Sequence, residues 1–105
     1  MHRGEVWWAE LPSPIGRRPV LLLSRDAAYR VRTSVTVGMV TRTVRTIPVE
    51  VPLGREDEMP EQCVVNLDNI LTIPKARLTE RITTLSSEKM TAVAQAIIFA
   101  LDLRV

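Results

Sequence analysis

The chain has one histidine, one cysteine, four glycines and few aromatics, and no long apolar run; each scarcity removes a class of function. His2 lies beside the N-terminus, so neither a two-histidine nuclease site nor a serine-histidine triad can be assembled. A lone Cys63 allows no intramolecular disulfide, which fits a reducing cytoplasm. His2 and Cys63 are the only soft ligands, so a structural zinc site is not expected. No phosphate-cradling glycine loop is present. The longest apolar stretches, residues 20–23 and 96–101, fall far short of the roughly 20 residues that cross a bilayer, so no membrane contact is expected. Gly4, Glu5 and Glu10 interrupt the apolar residues near the start, and no secretion signal is expected there. At 105 residues the chain is read as one domain, residues 1–105, too small for a second lobe to close over a substrate. Any site is then an open groove.

What the sequence does hold is arginine, unevenly placed. Twelve of its fourteen basic residues are arginine, whose planar fork holds a phosphate through two hydrogen bonds at once. Residues 1–46 carry eight arginines against three carboxylates, whereas the remainder has an acidic surplus of three. An anionic partner for the N-terminal half follows.

Periodicity predicts a mainly β chain with a terminal helix. Residues 4–11 alternate as a strand, with Val6 and Trp8 on one face and Glu5, Trp7 and Ala9 on the other. Pro12, Pro14 and Gly16 break it, and the apolar run within residues 18–24 reads as a central strand buried on both sides. Asp26 is expected to cap one helical turn. Residues 34–41 and 47–53 read as further strands joined by a hairpin at 41–46, and the charged stretch 54–61 as a surface loop before a strand at 62–67. Four acids in that loop are better read as solvated than as metal ligands. Short extended pieces follow at 69–73 and 81–85, and such a succession suggests a small barrel. From Ser86 the period becomes helical: Ser86 or Ser87 caps, and Met90, Val93, Ala94, Ile97, Ile98 and Leu101 form a stripe. The opposite side carries Ala92, Ala96, Phe99 and Ala100, with Gln95 the only polar residue between Thr91 and Asp102, so a second cover from another copy of the chain is expected.

With histidine and metal clusters excluded, arginines and hydroxyls at strand ends point to metal-free phosphate chemistry. Four stretches in order then resemble one family. These are Arg3-Gly4-Glu5-Val6-Trp7-Trp8-Ala9-Glu10-Leu11; Gly16-Arg17-Arg18-Pro19-Val20-Leu21-Leu22-Leu23-Ser24; Val40-Thr41 with Ile47-Pro48-Val49-Glu50-Val51; and residues 64–73 with 78–103. The chain resembles the MazF/PemK toxin endoribonucleases across nearly its whole length.

That resemblance implies an SH3-like small β-barrel with a C-terminal α-helix, an α+β arrangement that is mainly β. It implies a homodimer neutralised by an antitoxin, needing no cofactor, that cuts single-stranded RNA by attack of the ribose 2′-hydroxyl on the adjacent phosphate. Carried over by position, its catalytic arginine falls on Arg18 and its catalytic threonine on Thr41. A guanidinium stays protonated, so Arg18 is assigned to phosphate binding and charge stabilisation, and Thr41 to hydrogen bonding or proton relay. Asn69, Arg25, Arg42 and Arg45 are candidates for RNA recognition, Arg17 is auxiliary, and Trp7 stacks a base only if it faces outward. The connection at 12–17 is shorter than in many relatives. Two alternatives remain: a gyrase-inhibiting toxin of similar fold, whose Trp-Gly-Ile ending is replaced here by Asp102-Leu103-Arg104-Val105, and an RNA-binding module that does not cut.

Overall fold

In the computed structural model, which describes residues 1–104, six strands precede a long helix. They are β1 (Glu5–Glu10), β2 (Arg17–Leu22), β3 (Ser34–Thr41), β4 (Glu50–Leu53), β5 (Cys63–Pro74) and β6 (Leu78–Thr84). A one-turn helix α1 (Ala28–Val31) lies between β2 and β3, and α2 (Ser87–Leu101) closes the described chain. The strands form one antiparallel sheet in the order β4-β5-β3-β2-β1-β6. The expected mainly β architecture with a C-terminal helix is therefore what forms. No helix among the described residues is long and apolar enough to cross a membrane.

Both faces of the sheet are dry at its centre. Leu21 and Leu23 join Val6, Val65, Leu67 and Val93 in one core, while Val20 and Leu22 join Ala9, Val35, Val37 and Ile73 in another. The second core also takes in Leu78 from the β6 edge, so the sheet curls around it. The doubly buried reading of residues 20–23 holds, as does the alternation in β1. Helix α2 covers the first face through Val93 and Ala96, its N-terminus capped by Ser86, whose Oγ accepts the Lys89 N–H at 3.2 Å. Tyr29 from α1 covers the second.

Several local readings change. Residues 41–46 do not form a hairpin: β3 and β4 both pair with β5, which lies between them, so the connection crosses over a strand. The pieces 62–67 and 69–73 are one strand, because a bulge rather than a turn absorbs the polar residues between them. Asp26 does not cap α1; its carboxylate accepts the Arg3 N–H at 2.7 Å. Of the expected α2 stripe, Met90, Val93 and Ile97 pack on the core, but Ala96 and Ala100 from the other side join them and Leu101 is left 56% exposed, as Phe99 is at 62%. Val105, at the end of the sequence, lies outside the described residues.

Burial pushes the Tyr29 phenol from its ordinary 10.0 up to about 12, and its O–H donates to the Ser24 carbonyl at 3.0 Å. A raised acid pKa means that the folded state keeps a proton the unfolded chain releases. Stability contributed by the neutral phenol is thus complete below pH 10 and is lost as the pH rises through about 12. Unfolding free energies measured between pH 9 and 12, roughly, are expected to fall more steeply in the wild type than in Tyr29→Phe. Leu21→Ala, which empties a site of 0% exposure, is expected to cost about 2–5 kcal/mol in denaturant titration, against about 0.5 kcal/mol or less for Val31→Ala at a site 73% exposed.

Candidate active site

The site is built where β2 and β3 part. Val20 lies opposite Met39, Leu21 opposite Gly38 and Leu22 opposite Val37. Two residues farther along that register, Arg18 falls across from Thr41, and both point to the same face. Before Arg18 the chain turns at Gly16, whose φ of +71° suits glycine and whose carbonyl accepts the Leu11 N–H at 3.0 Å.

Arg18 and Thr41 line two adjoining clefts. The first also contains Thr43, Arg45, Asn66 and Asn69, and no carboxylate lines it. Among the described residues Arg18 has no acidic partner, and its guanidinium makes only a long contact of 3.5 Å from Nε to the Ile15 carbonyl. The remaining N–H groups are therefore open to an anion. Thr41 Oγ1 accepts the Thr43 N–H at 3.1 Å. That bond fixes the oxygen while leaving the hydroxyl proton free to donate.

Asn69 reaches this cleft through the β5 bulge. Gly38 pairs with Ile70 but the next residue, Met39, pairs with Asn66, so residues 67–69 are extra on the β5 side. Asn66 Oδ1 accepts the Asp68 N–H at 2.9 Å and holds the bulge in shape. Asn66 was not among the sequence-derived candidates. Its signal is the three polar residues Asn66, Asp68 and Asn69, of types poorly suited to strands, inside an otherwise apolar run.

The second cleft has an apolar floor of Trp8, Pro19, Val40, Met59 and Cys63, with Arg42 and Glu61 at its rim. Arg42 and Glu61 pair at 3.2 Å. Burial, then the charges of Asp57 and Glu61, push the Cys63 thiol above its ordinary 9.0, so it is neutral at physiological pH. Of the two tryptophans it is Trp8 that lines the cleft; Trp7 packs against the second core, with its indole N–H on Glu5 at 2.9 Å. Arg17 lines neither cleft: its guanidinium lies 4.4 Å from the Trp8 ring centroid, and its Nε is 3.4 Å from Glu10. Arg25 lies beyond the opposite end of β2 from Arg18 and also lines neither cleft.

Thus Arg18, Thr41, Arg42, Arg45 and Asn69 come together, and Arg17 and Arg25 lie apart from them. Among the described residues no three metal-ligating side chains cluster. The acids of the 56–61 loop are engaged separately: Asp57 accepts the Gly54 N–H at 2.9 Å, Glu58 accepts the Thr83 O–H at 3.3 Å, and Glu61 pairs with Arg42.

Comparison with known proteins gives this arrangement its relatives. The chain is 41% identical over 101 residues to the probable endoribonuclease MazF5 of Mycobacterium tuberculosis, covering 95% of this chain and 92% of that one. Its structure superposes on the Mycobacterium tuberculosis toxin MazF-mt6 with a TM-score of 0.89 at 36% identity, over 96% of this chain and 99% of the other. A mycobacterial endoribonuclease solved in complex with its cognate antitoxin matches with a TM-score of 0.88 at 30% identity, over 100% of this chain and 98% of that one. A family described as PemK-like, MazF-like toxin of type II toxin-antitoxin system matches residues 2–101, and the chain belongs to that family.

Proposed function

We propose that this toxin endoribonuclease cuts single-stranded RNA without a metal, by attack of a ribose 2′-hydroxyl on the phosphate that follows it. The 2′-oxygen–phosphorus bond forms as the phosphorus–5′-oxygen bond breaks, leaving a 2′,3′-cyclic phosphate, and the proton lost by the 2′-hydroxyl to solvent is balanced by the one the departing 5′-oxygen takes up. The observation that carries this reading is the pairing of an unneutralised Arg18 with a Thr41 hydroxyl already oriented by a backbone N–H.

A pentacoordinate phosphorus gains negative charge on its equatorial oxygens, and Arg18 presents fixed N–H donors to them without first breaking an ion pair. Thr41 donates its hydroxyl proton to the same phosphate or relays one to the leaving oxygen. Arg45 adds charge in the same cleft and holds a neighbouring phosphate, and Arg42 does so from the rim. The amides of Asn66 and Asn69 read base edges, and the Trp8 indole, backed on one side by Arg17, offers a stacking surface for a base beside the scissile phosphate.

The working form is a cytoplasmic homodimer held in check by an antitoxin. The exposed Phe99 and Leu101 on α2, beside a groove formed with Pro48 and Pro52, supply the apolar surface that a second copy covers. The antitoxin is supported by the relative solved with its own.

The test is cleavage of a long heteropolymeric single-stranded RNA in EDTA with mapping of the new ends. Discrete cuts bearing 5′-hydroxyls are expected, reduced on the order of 10²-fold or more in Arg18→Ala and at least about 10-fold in Thr41→Val. Retained binding without cuts in the wild type points instead to a non-cutting RNA module, and loss of all cutting in EDTA overturns the metal-free mechanism. Trp8→Leu is expected to lower cleavage of intact RNA while changing little for RNA with an abasic site next to the cut, as compared by double-mutant cycle.

A further inference from the structure

The connection from β3 to β4 has no regular structure between Thr43 and Ile47, and it carries Thr43 and Arg45 into the cleft with Arg18. Its ends are tied locally: Thr43 N–H to Thr41 Oγ1, Glu50 N–H to the Ile47 carbonyl at 3.0 Å, and Leu67 N–H to the Val49 carbonyl at 2.8 Å. Its middle is tied by one side chain. Glu50 Oε1 accepts the Arg45 N–H at 2.9 Å and the Thr46 N–H at 3.0 Å. Thr46 sits in the left-handed region at φ 57°, a conformation a threonine adopts only under constraint, and here two successive N–H groups converge on one carboxylate oxygen.

We propose that Glu50 is a positioning residue for RNA binding, clamping the β3–β4 connection so that Arg45 is already in the cleft before RNA arrives. This rests on the endoribonuclease reading above.

Simple stabilisation does not account for the residue. The two N–H groups lie on an exposed loop where water satisfies them, whereas the other carboxylate oxygen, Oε2, is buried with no partner. Two hydrogen bonds that water could replace add little to stability, so what the side chain contributes is loop geometry. Its base is rigid: Glu50 begins β4 and pairs with Asn66, which lines the same cleft, so the clamp ties Arg45 to the frame that holds the bulge. Arg45 makes no ion pair among the described residues, leaving the clamp to set where its charge sits.

Amide exchange in the RNA-free protein tests the clamp, and steady-state cleavage tests its use. In Glu50→Ala the Arg45 and Thr46 amides are expected to exchange at least about 10-fold faster while those of β2 and β3 stay as they were. KM for single-stranded RNA is expected to rise about 5- to 10-fold with kcat changed by less than about 3-fold, since bound RNA reorders the loop. In an Arg45→Ala background the same substitution is expected to change KM by less than about 2-fold. Glu50→Gln, which keeps a carbonyl acceptor, recovers most of both effects and covers the case in which the alanine variant folds poorly. Unchanged exchange at both amides overturns the clamp. Faster exchange with KM effects that simply add overturns its action through Arg45. A wild type that neither binds nor cuts RNA overturns the endoribonuclease reading and the RNA half of this inference, while the exchange result still decides whether the clamp exists.

Discussion

The site depends on one register, the pairing of β2 with β3. Both strands are buried on both faces at their centre, so hydrophobic patterning alone does not say which residue faces which core. A glycine settles it. A side chain at Gly38, opposite Leu21, would bring its Cβ to 3.2 Å from Val65 and 3.3 Å from Leu67, so a slip by one residue drives Val37 or Met39 into space that is already filled. The same slip turns Arg18 to the opposite face from Thr41. Core packing and the approach of the two site residues are thus one constraint.

Charge is arranged on top of that frame with different degrees of restraint. Arg17 is held by Glu10 and the Trp8 ring, and Arg42 by Glu61, whereas Arg18 and Arg45 face a cleft lined by no carboxylate. The restrained pair shapes the apolar surface and the rim; the open pair supplies the field an anion meets. Acidic residues elsewhere serve the fold: Asp57 is buried, accepts the Gly54 N–H and lies 3.7 Å from Lys89 of α2, tying the helix to the loop after β4.

Much of this was legible in the chain. The apolar run 20–23 announced a doubly buried strand, the change of period at Ser86 announced the helix, and the motif resemblance placed Arg18 and Thr41 in candidate roles. What the sequence hid were relations between distant segments. Residues 41–46 have hairpin length, and only the insertion of β5 between β3 and β4 makes them a crossover. Glu50 looks like an ordinary strand residue and Asn66 like a mere weak point in one, until the converging N–H groups and the bulge show what each holds. Arg17 and Arg18 are neighbours in sequence, but the period of two sends them to opposite faces, so one basic turn divides into a support for Trp8 and a guanidinium open to the cleft.

The bulge in β5 separates two properties that strands usually combine. Leu67 is its only member in the core, at 1% exposure, whereas Asp68 and Asn69 are exposed and Asn66 is half-buried at the cleft. A substitution at Asn69 therefore changes the cleft surface without touching the residue that packs the core, whereas one at Asn66 also removes the bond that shapes the bulge. The frame thus places core packing and cleft surface on separate side chains of three consecutive residues, so one can vary while the other is kept.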